Sequence, residues 1–432
     1  QGVGPGGVRD ADSSLVKGTI LDGRGMGGTE VYAEWWRTLM GDIWSDRASI
    51  DGNPGWDGSV EDGDGNPYIY EGPVITVVAE DGEFAEEGKK PDFVASIDGF
   101  TIQGGDQQGL PAAPIVVQGG GIFVNGYARH LRITNNVVQG NGGAYAGAIR
   151  LGTPDVPGDL NDHQNDDIYI GHNRILANGG TNLAGGIGLF AGASNYEITH
   201  NDICGNTSAE YGGGISHYGY SPGGEIHHNR IIFNRAYDEG GGIMLAGELA
   251  TGSLPGAGAV DVHANLIQGN LANDDGGGLR FLMAGPEEFN VYNNIVANNV
   301  STHEGGGISL NDAPYVSIYN NTIVKNITTA TAMTSNGLPA PAGLSSSANS
   351  QPLNVWLYGD RNGAYDCLDD NVDCFSNPDL FNNVFWDNRA GTWTGGGVAG
   401  IGQEGATTPI FHWDLGVADG SGLLSPTYSV MQ

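Results

Sequence analysis

One pattern recurs along this chain: Asn, any residue, an apolar residue, two further residues, and a second Asn. It runs from Asn136 to Asn141, Asn173 to Asn178, Asn201 to Asn206, Asn229 to Asn234, Asn265 to Asn270, Asn294 to Asn299, Asn321 to Asn326 and Asn383 to Asn388. A glycine run and another aliphatic residue follow most pairs. The aliphatics Ile187, Ile215, Ile243, Leu279 and Ile308 lie 28, 28, 36 and 29 residues apart. Short alternating β-type runs at this period, with no helical pattern, predict the coils of a parallel β-helix with two or three short strands each. Residues one period apart then sit over each other at about 4.8 Å. In that arrangement the aliphatics point inward. Asn and Gly serve the sharp turns, because both tolerate left-handed backbone, and stacked Asn side chains bond coil to coil.

Two further stretches, 17–23 (KGTILDG) and 96–105 (SIDGFTIQGG), read as earlier coils. Roughly ten to twelve coils make a rod on the order of 50 Å long. The expected division is N-terminal coils, a cap and an acidic loop over 1–95, repeats over 96–400, and a C-terminal cap over 401–432. Insertions at 152–165, 246–259 and 346–379 leave the coil just after the glycine-run strand, so they should form a wall of loops along one face. Residues 327–341 leave elsewhere, after the second Asn. The stretch 30–44 (EVYAEWWRTLMGDIW) predicts a short amphipathic helix closing one open end, and Phe411, His412 and Trp413 mark the other cap.

The chain carries 50 acidic against 17 basic residues, for a net charge of −33. Such a field repels phosphate backbones and anionic bilayers, so neither nucleic acid nor membrane insertion is expected. No run is long and apolar enough to span a bilayer. The expected partners are an extracellular polysaccharide, another surface protein, or a second copy joined by strand addition. Cys367 and Cys374, in one short loop, predict a disulfide and with it an extracellular or cell-surface location. Cys204 reads as a small buried apolar residue. Gln1 is read as the start of a mature chain with its leader removed.

The Asn-x-Ile-x-x-Asn and Gly-Gly-Gly-Ile coils, with NNTIVKN (320–326) and FNNVFWDN (381–388), resemble the right-handed β-helix repeats of the pectate-lyase-like superfamily. They are also similar to repeats of polymorphic outer-membrane proteins and of bacterial surface β-helix proteins. The resemblance covers roughly 96–400. It implies an all-β fold, a single-stranded right-handed parallel β-helix or solenoid with short caps and side loops. That superfamily holds lyases, hydrolases, epimerases, adhesins and inert scaffolds. Of the polygalacturonase residues only Asp166–Asp167 and Gly171–His172 have counterparts, and His172 is followed by Asn173 rather than Gly. The Asn-Thr-Asp, Arg-Ile-Lys and epimerase Asp-Pro-His motifs are missing. The reading is therefore a structural, adhesive or filament-forming surface module. A polysaccharide lyase or epimerase acting on an acidic glycan is the alternative.

Candidate site residues gather just before the glycine runs. Successive coils place there Glu210, then Asp238 and Glu239, then Asp274 and Asp275, then His303 and Glu304. Carboxylates stacked this closely must take up protons, cations or arginines. A Ca²⁺ ion held by Glu210, Asp238, Glu239, Asp274, Asp275 and Glu304 is one outcome. In the catalytic outcome Asp238, Asp274, Asp275 and Glu304 are the acid/base candidates and Arg280 stabilises an anion. His217, Arg280 and His303 are the candidate substrate contacts. A solvated, repelling turn is the third outcome. The outer column beside the glycine strands is Phe123, Arg150, Gly188, Ser216, Met244, Arg280, Ser309 and Ser345, expected at the surface. His172, His200 and His228 recur 28 residues apart and are read as turn residues, with Zn²⁺ or Cu²⁺ binding as the alternative. Asp62, Asp64 and Asn66 have the alternate spacing of a calcium loop, although Pro73 stands where such a loop needs Glu. Asp369 and Asp370 form a second acidic loop beside the cysteines. Of the sequons at Asn206, Asn299, Asn320 and Asn326, only Asn320 should face outward.

Overall fold

The computed structural model describes residues 19–23, 73–77, 79, 81–91, 93–105, 120–143, 145–152, 162–247, 256–359 and 373–432. One coil shows the logic of all. Strands Glu197–Thr199, Asp202–Cys204, Thr207–Ser208 and Ile215–Tyr218 follow one another around it. Each pairs in parallel with its counterpart a coil later, placing Ile198 beside Ile226, Ile203 beside Ile231 and Ile215 beside Ile243. Continued along the chain, this gives four parallel sheets of nine, ten, eight and ten strands, here called the first to fourth sheets in the order just given. The fold is thus an all-β solenoid, a parallel β-helix. It has four strands per coil rather than two or three. The extra one, after the second Asn, is two residues long and too short to show alternation.

The inward columns form one continuous core. Ile187, Ile215, Ile243, Leu279 and Ile308 stand in register and are fully buried. Burying each such side chain contributes about 1.5–3 kcal/mol. The glycine runs let neighbouring coils close up. A Cβ on Gly213 would lie 2.5 Å from the carbonyl oxygen of Gly241.

The turns work differently from the sequence expectation. The left-handed residue is the one before each Asn, as at Asn135, His172, His200, His228, Ala264, Asn293 and Asn320, with φ between 54° and 60°. The repeated Asn itself points inward, and its amide is selected for bonding. Asn229 is typical: its Oδ1 accepts from the backbone N–H and the side chain of Asn201 at 2.9 and 3.0 Å. Its Nδ2 donates to the Ile198 carbonyl and to Asn265 Oδ1 at 2.8 and 3.1 Å. Every donor and acceptor of this buried amide is thereby satisfied, as burial of a polar group requires. The sequons at Asn206, Asn299 and Asn326 lie in the second such ladder and are buried, while Asn320 is exposed.

Thr19–Asp22 pairs with Phe100–Gln103, so one strand of the expected early coil joins the second sheet. At the other end, Leu415–Val417 adds the last strand of the fourth sheet. Thr427 and Val430 bridge to Phe381 and Val384, so the final segment closes the coil stack. Insertions leave after Ile149–Leu151, Ile243–Ala246 and Leu344–Ser346, all strands of the fourth sheet. The last carries a helix, α1, Gln351–Tyr358, capped by Ser350. Cys374 is disulfide-bonded and Cys204 is free. Cys204 is half-buried on the outside of the second sheet rather than in the core. Cys367, the helix expected at 30–44, and the loops with Asp62, Asp64, Asn66, Asp369 and Asp370 lie outside the described residues.

Candidate functional site

The outer column of the fourth sheet stacks in register from Phe123 to Ser345, as the repeat requires. It is not at the surface, however. Arg150, Met244 and Arg280 are 1%, 0% and 4% exposed. The segment before each glycine turn folds back over this column: a Cβ on Gly276 would lie 2.6 Å from the Cβ of Arg280. That segment carries the acidic residues, so Arg280 and the carboxylates meet under cover.

The acidic residues form two adjacent columns. The backbone N–H groups of Asp238, Asp274 and His303 donate to the carbonyls of Glu210, Asp238 and Asp274. Glu239, Asp275 and Glu304 form the inner column, with Gly240 and Gly276 donating to the carbonyls of Asp275 and Glu304. The Arg280 guanidinium lies 3.1 Å from Glu239 through Nε and 3.2 Å from Asp275 through Nη2. A second Nη2 bond reaches Glu239 Oε1 at 3.3 Å. His303 Nδ1 lies 3.0 Å from Asp275 and 3.3 Å from Asp274. Thr334 donates to Asp274 at 2.7 Å, and the Glu304 N–H donates to Asp275 at 3.1 Å.

These contacts set the ionisation. Burial, then the Asp275 charge, pushes the Glu304 carboxyl up to about 7. Burial also raises Glu239, Asp238 and Glu210, with acidic neighbours adding to the effect. Burial pushes Asp274 up, but hydrogen bonds from His303 and Thr334 outweigh it and hold the carboxyl below the ordinary range. Hydrogen bonds to Asp274 and Asp275 raise His303 to about 10. Burial alone would lower the Arg280 pKa, and Glu239 with Asp275 more than offset it. Two cations and a tightly held proton on Glu304 therefore offset part of the carboxylate charge from within. A hard cation here would compete with Arg280 and His303 for the same oxygens.

A pH dependence follows. Folded His303 and Glu304 bind protons more tightly than their unfolded values of 6.5 and 4.5. Each contribution is complete below the unfolded value and is lost as pH rises through the folded one. The melting temperature should fall from about pH 6.5 to about pH 10, the window in which folded and unfolded His303 differ. His303→Gln should flatten this slope, removing on the order of 2 kcal/mol of the change. Calorimetry across that range checks it. A variant slope equal to that of the parent would refute the assignment.

His217 is not a surface residue. It takes a position of the inward column between Leu189 and Leu245 and is fully buried. Its Nε2 faces the Gly219 and Ala257 carbonyls at 2.8 and 3.0 Å, so that nitrogen carries the proton. Nδ1 then accepts from the Tyr196 hydroxyl at 2.9 Å. Burial lowers its pKa to about 4. No external substrate reaches the ring, and the candidate assignment as a substrate contact is corrected on that ground. The alternation from Ile215 already places His217 on the inward face.

His172, His200 and His228 are turn residues, and their rings stack at 4.9 and 5.0 Å. A second, parallel stripe went unread in the sequence. His227, His263, Tyr292, Tyr319 and Phe381 stack on the outer face of the first sheet at centroid distances of 4.7, 4.6, 5.0 and 4.8 Å. The signal was available: His227 and His263 are one coil apart, each at the residue before a left-handed turn.

The fold and the ion-pair cluster together define a parallel β-helix protein with a buried, internally paired polar knot beside the outer column of its fourth sheet. Comparisons with protein-family models, curated proteins and solved structures give no match.

Proposed function

We propose that this chain is a non-catalytic, rod-shaped module of an extracellular or cell-surface protein, with a structural, adhesive or filament-forming role. One observation carries the reading. The residues best suited to chemistry, Arg280, Asp275 and Glu304, are only 4–7% exposed and bind one another. Groups so saturated fix the path of a coil; they do not meet a polymer in solvent. The resemblance to adhesins and scaffolds of the pectate-lyase-like superfamily points the same way. So does the net charge of −33, which repels uronic-acid chains.

The partner in this reading is an extended polysaccharide or another surface protein. The second sheet offers a regular outer face on which Ile20, Ile295, Val384 and Trp386 are exposed. Columns repeated every coil suit an elongated or repeating ligand. Self-assembly through this face would pack copies side by side. A calcium ion in the knot would have to displace Arg280 or His303 from Glu239, Asp274 and Asp275, so this reading assigns it no role there.

The test is direct. The protein is incubated with pectate, alginate and neutral glycans while unsaturated products are followed by ultraviolet absorbance. No product above the protein-free control is expected. Product formation that disappears in a folded Asp274→Ala, Asp275→Ala double variant would overturn the proposal in favour of a lyase.

A further inference from the structure

Where the two histidine stripes run side by side, the ring nitrogens of His227, His228 and His263 lie within 4.8 Å of one another. His227 Nε2 is 3.0 Å from Glu197 Oε1, and a carboxylate only accepts, so Nε2 carries the proton. The lone pair of His227 therefore sits on Nδ1. That atom faces His228 Nδ1 at 2.7 Å and the Thr199 hydroxyl at 3.0 Å. Two imidazole nitrogens thus converge on one point, and one of them is already oriented by a carboxylate behind it. That arrangement, ligand nitrogen in front and carboxylate on the other ring nitrogen, is how metal-binding histidines are held. His228 is exposed and its two companions are half-buried, so the point of convergence opens to solvent.

We propose that His227, His228 and His263 form a binding site for a borderline divalent transition metal, Zn²⁺ or Cu²⁺, with Glu197 as the positioning residue of His227. Neutral imidazoles suit these ions and not Ca²⁺ or Mg²⁺, which take oxygen ligands. Three nitrogens leave a fourth position for water or for a group of a partner. The parallel rings of His227 and His263, 4.7 Å apart, tilt toward the ion to reach bonds of about 2.0–2.1 Å.

The repeat supplies ligand-deleting variants that preserve the fold. His228→Asn installs the residue that neighbouring coils carry at this left-handed turn, as at Asn293 and Asn320. His263→Tyr continues the stack of Tyr292 and Tyr319. Chelator-treated, full-length protein is titrated with Zn²⁺ and Cu²⁺ by calorimetry. The Cu²⁺ complex is also examined by electron paramagnetic resonance. The expected result is one ion per chain, nitrogen hyperfine structure, and a Kd on the order of micromolar or tighter. Glu197→Gln should weaken binding about tenfold, and the His228→Asn, His263→Tyr double variant at least as much. Ca²⁺ should give no competing heat. Absence of binding would overturn the proposal. So would unchanged binding in the folded double variant, or binding abolished instead by Asp274→Asn with His303→Gln.

Discussion

Replacing Asn229 by leucine should cost on the order of 4 kcal/mol and should open the coils on either side of it. The size follows from how many buried groups share this one amide. Its loss removes the acceptor for two donors of Asn201, the donor for the Ile198 carbonyl, and the donor for Asn265 Oδ1. A buried group left without a partner costs about 1–3 kcal/mol, and partial rearrangement keeps the total below a simple sum. Leucine has the branching of Asn, is bulkier, and bonds to nothing. Because a solenoid unfolds in segments, the defect should be local. Hydrogen exchange should show lost protection in the coils around residues 198–205 and 262–270, with the distant coils unaffected. Asn320→His, which puts at this exposed left-handed turn the residue found there at His172, His200 and His228, should shift stability by less than about 0.5 kcal/mol. Equal effects at the two positions would refute the ladder account.

Arg280→Met should destabilise by about 3–5 kcal/mol, the range for removing one partner of a buried ion pair. Glu239 and Asp275 would then face each other under cover with only His303 nearby. The loss should shrink at pH 5, where Glu304, pushed up to about 7 by burial, holds a proton. Adding Glu239→Gln and Asp275→Asn to Arg280→Met should restore most of the stability, because no uncompensated charge remains. Chemical denaturation of the three proteins at pH 5 and pH 8 measures this. If the triple variant is as unstable as the single one, the guanidinium acts through packing and not through charge.

The fold was legible because its period was. Ile215, Ile243 and Ile308 had to share a column once coils were assumed, and they do. The acidic residues were legible as neighbours for the same reason. Their burial was not. Nothing in the spacing shows that Asp274–Gly276 folds back over Arg280, since that depends on the path of a glycine turn. His217 could have been placed by alternation, but a histidine in an aliphatic column invites a functional reading, and only the Tyr196 hydroxyl and the Gly219 and Ala257 carbonyls explain it. The two-residue strands of the third sheet escaped because two residues cannot display a period. The coil-to-coil Asn bonding was read correctly from the repeat, but the left-handed turn assigned to the same Asn falls on the residue before it.

The two ladders also have a direction. Each Nδ2 hands its hydrogen bond toward the C-terminal neighbour, so the series starts where the Phe100 and Gly105 N–H groups donate to Asn136 and Asn141. The second ladder stops where Asn388 donates to the carboxylate of Asp414 at 2.8 Å, a group with no hydrogen of its own to pass on. Between that start and that stop, any number of whole coils satisfies the same bonds. Molecular length is therefore a free variable for gene duplication, and a single aspartate serves as the full stop.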